Sequence, residues 1–268
     1  MNTFPLYLTD SATMFRRNVR HMRRYPMLFF IAGIPIVLLL LFVYVLGGTL
    51  GAGLGAGAGL GTGAAGRAAY IAYVVPGILL ITVAGGGQGT AIAVAMDLTE
   101  GIVARFRTMP ISRASFLTGH VLANVAQTML AVLIVVLVAL LIGFRPSTGP
   151  AEWLAATGLL ALIALALTWI CVALGMVTRS VEAASNLPMP LILLPFFGSG
   201  FVPTASMPDP LRWFADNQPF TPIMETLRRL LIGGDVGSTG LIAVAWCVAI
   251  TVVGYAWAKR LFARDPSR

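Results

Sequence analysis

Asp97 and Glu100 lie three positions apart on an expected helix and form a candidate carboxylate pair, the arrangement general acid–base chemistry would need. No histidine or third acid stands beside them in sequence, so Asp97 reads as a helix cap and Glu100 as a solvated charge. His21 and His120 stand alone, and Cys171 and Cys247 fall inside apolar runs where a thiol packs as a small hydrophobe. Neither a metal site nor a disulfide framework follows from them. The sequence holds no HExxH pair and no serine, histidine and acid set. Gly61, Gly63 and Gly66 match a dinucleotide-binding spacing, but no strand precedes them and glycine fills the neighbourhood. A phosphate-binding loop needs a lysine after glycine, whereas the only lysine, Lys259, follows Ala258, which excludes ATP hydrolysis by that route. No catalytic residue, metal or cofactor is expected in this chain.

The polar groups left are neutral and sit within apolar stretches: Gln88, Asn124, Gln127, Thr128 and Thr168. Transporters driven by protons or sodium usually carry an ionisable residue at membrane depth, so this set disfavours ion coupling. The elements that must position these groups are visible in composition. Of the 268 residues, 58% are hydrophobic and only 10% charged, where soluble domains carry roughly 25% charge. No charge occurs in residues 27–66, 68–96, 114–144, 153–178, 183–208 or 236–258, and each stretch can hold a spanning helix of roughly 20 residues. Residues 129–144 are apolar on every side, which a water-facing helix would not be.

The fold expected is all-α integral membrane, with six transmembrane helices at about 27–47, 70–96, 120–143, 153–177, 186–203 and 238–258. Residues 1–26 precede this six-helix domain of residues 27–258, and residues 259–268 form a tail. The first apolar run is too long for a signal-peptide core and lacks a cleavage site, so it is expected to be retained.

Six spans place both termini on one side. The loops on that side carry Arg16, Arg17, Arg20, Arg23, Arg24, Arg105, Arg107, Arg113, Arg179, Lys259, Arg260, Arg264 and Arg268, and the other side only Arg67, Arg145, Arg212, Arg228 and Arg229. The richer side is cytoplasmic by the positive-inside rule. The net charge of +8 is thus a topology and lipid-surface signal, and nucleic acid is not an expected partner.

Between these spans lie four landmarks. Phe4, Leu8, Ala12, Phe15, Val19 and Met22 recur at helical spacing among the arginines, an amphipathic interfacial helix or a solvated basic leader that fixes orientation. Tyr25-Pro26 turns the chain into the membrane. Glycine alternates with small residues from 51 to 63, the composition of a linker. In the loop after the second span, Ile102, Val103 and Phe106 form an apolar patch beside Glu100, Arg105 and Arg107, and Pro110 ends the segment. It reads as a short surface helix, either a docking knob for a cytoplasmic partner or a polar turn carrying topogenic charges. In the apolar connection 203–237, Met224, Leu227, Leu230 and Leu231 keep helical spacing, and one or two short helices dipping into the outer interface are expected, ended by Gly233-Gly234. Within the spans, Gly85, Gly86, Gly87 and Gly89 allow close packing or a break in the second, and Pro188, Pro190 and Pro195 kink the fifth.

Three of these landmarks resemble type-2 ABC exporter permeases, particularly the branch similar to the daunorubicin-resistance permease. They are the basic amino terminus ending in Arg23 to Pro26; the loop bearing Glu100, Gly101, Arg105, Arg107, Pro110, Ser112 and Arg113; and the run with Pro203, Pro208, Trp213, Asn217, Gln218, Pro219, Arg228 and Gly233. The glycine-alternating loop is no recognised feature of that family. The resemblance implies a half-transporter in the bacterial cytoplasmic membrane: two permease chains, identical or related, enclose a path, and two copies of a separate ATPase bind ATP and Mg below. It implies that Glu100, Gly101, Arg105, Phe106, Arg107, Pro110 and Arg113 form the coupling helix, with Arg16, Arg17, Arg20 and Arg23 at the docking surface and Asn217, Pro219 and Arg228 in an external re-entrant segment. Because helices one and five line the path in such permeases, Phe196 and Phe197 become candidates for an apolar substrate, with Gln88, Asn124 and Gln127 as polar ones; helix packing is the alternative for each. The expected cargo is a drug, antibiotic-like polyketide or lipid, and the rival readings are an ion-coupled secondary transporter and a non-transporting scaffold.

Overall fold

The structure, a computed structural model, describes residues 27–47, 64–99, 113–178, 180–202, 204 and 207–263. Among them every regular element is helical. Helix α1 spans Met27–Leu40 and continues as a π-helical segment, Leu41–Leu46. Then come α2 (Ala64–Thr99), α3 (Arg113–Ile142) and α4 (Pro150–Val177). Two short helices, α5 (Val181–Asn186) and α6 (Met189–Leu193), run into a 3-10 turn at Leu194–Phe197. Helices α7 (Asp209–Asn217), α8 (Phe220–Ile232) and α9 (Gly237–Ala263) complete the chain.

Four segments are long and apolar enough to cross a membrane: Gly66–Thr99, Thr118–Ile142, Pro150–Val177 and Gly237–Ala263. They coincide with the expectations at 70–96, 120–143, 153–177 and 238–258. Two shorter apolar stretches, Ile31–Leu46 and Val181–Phe197, stand where the first and fifth spans were expected. The fifth differs most. It begins before residue 186 and breaks at Leu187-Pro188, because Pro188 and Pro190 supply no backbone N–H to continue the ladder.

Local chemistry sets the helix ends. Pro150 opens α4 after the extended Gly149, with Glu152 in the first turn complementing the helix dipole. The Ala183 amide donates to Ser180 Oγ at 3.2 Å, capping α5. Gly233, at φ +105°, ends α8 in a conformation that favours glycine.

Helix α2 is the hub, touching α1, α3, α4, α5, α6 and α8, while α9 lies along α4. Apolar association between helices gains little in lipid, so contact must come from close approach. The glycine run in α2 serves that purpose and leaves the helix unbroken from Ala64 to Thr99. A Cβ on Gly86 would strike Thr128 Oγ1 of α3, and one on Gly87 would lie 2.7 Å from Cys171 Sγ of α4. About one turn away the relation reverses: a Cβ on Gly175 of α4 would lie 2.5 Å from the Ala91 carbonyl oxygen. Because that neighbour is backbone, it cannot rotate away. Gly175→Val is therefore expected to cost about 3 kcal/mol through forced separation of α2 and α4, measured as a lower unfolding midpoint of the purified protein. Outward leucines such as Leu141, Leu154 and Leu241 are exposed, as suits helices surrounded by lipid.

Candidate functional site

Arg16, Arg17, Arg20 and Arg23, and Glu100, Gly101, Arg105, Phe106, Arg107 and Pro110, lie outside the described residues. Arg113 begins α3, so the loop 100–112 is strung between the ends of α2 and α3.

At the neck of this loop the structure brings together two residues that sequence reading kept apart. His120 Nε2 lies 3.0 Å from Asp97 Oδ2, and their side chains are only 10% and 11% exposed. His120 is thus not alone, and Asp97 is no solvated cap. The signal was spatial: 23 positions separate them in the chain, and the α2–α3 hairpin closes the gap. Asp97→Ala should lower stability by about 2 kcal/mol, since a charge-assisted contact is lost and polar groups stay buried. The exchange Asp97→His with His120→Asp should recover part of that loss in thermal unfolding of the double variant.

The predicted polar residues of the spans fall into separate contacts. Gln88 Nε2 donates to the Ser185 carbonyl at 2.6 Å, tying α2 to α5. Asn124 Nδ2 donates to Thr168 Oγ1 at 2.8 Å, and Thr168 Oγ1 donates to Ala164 O at 2.6 Å, so this pair bridges α3 and α4. Gln127 and Thr128 are buried beside it, with Gln127 Nε2 and Thr128 Oγ1 lacking hydrogen-bond partners among the described residues.

Phe196 and Phe197 part company. Phe196 stacks on Phe201 with centroids 5.0 Å apart, and Phe201 stacks in turn on Phe42 at 4.8 Å, joining the broken fifth segment to the π-helical part of α1. Phe197 is 46% exposed on the surface of the segment. π-Helical turns recur at functional sites, and here the turn carries the ring at one end of the column.

A second cluster lies where the fifth segment ends. In the buried turn at Gly198–Gly200, the Ser199 carbonyl takes its hydrogen bonds from side chains. Arg228 of α8 donates through Nη2 to Ser199 O at 2.6 Å and reaches Tyr73 O of α2 at 3.5 Å, and the Tyr73 hydroxyl donates to Ser199 O at 2.8 Å. The guanidinium carbon lies 4.0 Å from the Tyr73 ring centroid, within cation–π range. Close backbone contact seals the junction: a Cβ on Gly77 would lie 3.1 Å from Gly200 O, and one on Gly200 would strike Met224 Sδ. Of the other two predicted residues, Asn217 donates to Trp213 O at 2.7 Å within α7, and Pro219 precedes the first turn of α8. Neither enters the network, whereas Tyr73, Ser199 and Met224 do; sequence reading gave Met224 only for its helical spacing and did not single out Tyr73 or Ser199. The only available signal was the arginine itself, set in an apolar helix.

A family model described as ABC-2 type transporter matches residues 10–232. The daunorubicin resistance ABC transporter permease protein DrrB1 of Streptomyces coeruleorubidus is 28% identical over 221 residues, covering 78% of this chain and 73% of that protein. The probable doxorubicin resistance ABC transporter permease protein DrrC of Mycobacterium tuberculosis is 27% identical over 180 residues, covering 67% of this chain and 65% of that protein. With its long apolar helices packed around α2 and a family match running through the α2–α3 loop, the chain belongs to the ABC-2 type transporter family, as a multi-pass membrane permease of an ABC exporter that works with an ABC ATPase.

Proposed function

We propose that the chain moves a lipophilic compound, a drug, polyketide or lipid, out across the bacterial cytoplasmic membrane, driven by a separate ATPase. The observation that carries this reading is the family match, which runs from residue 10 to residue 232 and so includes both the basic amino-terminal segment and the loop 100–113. The relatives are named for resistance to daunorubicin and doxorubicin, which supports a lipophilic cargo. With six spans, the arginine asymmetry puts both termini in the cytoplasm. In that topology α1 and the broken fifth segment each cross the membrane, and α7 and α8 form an external re-entrant pair. Exposed Trp213 suits the outer interface.

Two permease chains, identical or related, enclose the path, and two ATPase copies, which bind ATP and Mg, grip the cytoplasmic loops. Closure of the ATPase pair pushes on Glu100 to Arg113, and α2 and α3 carry the movement inward. Phe196, Phe197, Gln88, Asn124 and Gln127 remain candidates for the path, with Phe197 the more accessible of the two phenylalanines. The buried Asp97–His120 pair favours one rival, ion coupling, because ionisable groups within a helical bundle often relay protons. Co-expression with an ABC ATPase encoded beside this gene tests the reading. A complex that survives detergent purification is expected, and a permease that never retains the ATPase would speak for the rival.

A further inference from the structure

Arg228 is a largely buried cation with no carboxylate at ion-pair distance among the described residues. Glu225, one turn earlier on α8, attracts it only through space. Carbonyl oxygens and the face of Tyr73 accept its hydrogen bonds and part of its field, yet the formal charge stays unpaired, which is costly in a low-dielectric setting. Polar groups around the same turn are also unsatisfied. Among the described residues, Arg228 Nε has no hydrogen-bond partner, nor do Oγ of Ser199, 4% exposed, and both amide atoms of Gln218, 5% exposed. Gln218 Nε2 lies over Gly198, 2.9 Å from where a Cβ on that residue would stand, so it borders the residue next to Ser199.

Each of these groups specifies something about a ligand. A guanidinium N–H, a hydroxyl and an amide N–H are donors that suit anionic oxygens, and Gln218 Oε1 is an acceptor that a ligand hydroxyl satisfies. A carboxylate supplies oxygens but no hydroxyl, and sulfate is fully ionised at neutral pH. We propose that Arg228, Ser199 and Gln218 form a binding site for a phosphate-class anion that also carries a hydroxyl. Inorganic phosphate offers its own P–OH, and a phosphatidylglycerol headgroup offers glycerol hydroxyls. The site stands on the fold of this chain alone and does not depend on which cargo is exported.

The test uses the full chain purified into nanodiscs. Thermal unfolding is recorded in phosphatidylcholine, in phosphatidylcholine with phosphatidylglycerol, and in phosphatidylcholine with added inorganic phosphate. The unfolding midpoint is expected to rise by about 5 °C in one anion arm when that anion is well above its Kd, and the responding arm identifies the source. Gln218→Met removes an unpartnered amide at similar volume, so the anion-free midpoint should hold or rise while the response disappears. A merely structural glutamine would do the opposite. Arg212→Gln is the control, because Arg212 is exposed and its nearest charge is Asp216 on its own helix; this variant should respond as the wild type does. The proposal is overturned if neither arm moves the midpoint, if Gln218→Met responds like the wild type, or if Arg212→Gln abolishes the response, which would mark diffuse surface attraction.

Discussion

Arg228→Met is expected to lower the unfolding midpoint of the purified permease by roughly 10 °C, reflecting a loss of about 3 kcal/mol. The substitution keeps an unbranched apolar stem but removes every donor, so the short bond to Ser199 O is lost along with the reach to Tyr73 O. Only the Tyr73 hydroxyl then serves the Ser199 carbonyl. Backbone polar groups deprived of partners are expensive wherever water is scarce, and a broken helix in a membrane bundle survives only with substitute donors. The effect should be large because one side chain joins α8, α2 and the end of the fifth segment. Arg228→Lys is expected to recover part of the loss, since an ammonium donates from one point where the guanidinium forks. Equal midpoints for wild type and Arg228→Met would remove the network from the account of stability.

Arg105→Glu is expected to reduce transport at least about tenfold while leaving membrane insertion and the complex with the ATPase detectable; Gly101→Pro, which bars helical continuation, should behave similarly. The argument is mechanical. Helix α2 is one rigid element of 36 residues whose far portion carries Tyr73 and Gly77, and at the opposite end the Asp97–His120 contact ties it to α3. A push on the loop between these helices is therefore delivered to both. On the proposed reading, reversing a charge in this loop weakens the ATPase's grip, whereas the packed glycines of α2 leave the bundle itself intact. The measurement is ATP-dependent uptake into inverted vesicles, with ATPase retention scored on the same preparation. Transport equal to wild type would detach the loop from coupling.

The long spans were legible because lipid imposes a coarse rule: charge is absent wherever hydrocarbon surrounds the chain, and α2, α3, α4 and α9 obey it over their central stretches, with Arg67, Asp97, Arg113, Glu152, Lys259 and Arg260 near their ends. Met224, Leu227, Leu230 and Leu231 likewise announced α8, whose apolar face is buried, and Gly233 announced its end. The fifth segment was harder. Its prolines were visible, but hydropathy cannot tell a kink from a break, and Val181–Phe197 is built of separate pieces. Glycine posed the same ambiguity in α2, resolved by Thr128 and Cys171 filling the space beside Gly86 and Gly87. Pairings such as Asp97 with His120 and Arg228 with Ser199 arise between distant helices, and a single sequence holds no local signal for them. Of the candidate site, Arg228 was named only as what the family resemblance implies for the external segment, and its partners came only with the fold.

The central claim is that an ATPase powers this permease, and reconstitution tests it most directly. Permease and ATPase are placed together in proteoliposomes, and movement of a fluorescent lipophilic drug is followed with ATP, without ATP, and with an ATPase whose phosphate-binding lysine is replaced. The account predicts transport only with ATP and the intact lysine, unaffected when a protonophore collapses the proton gradient. Transport that persists without ATP and stops with the protonophore would contradict it.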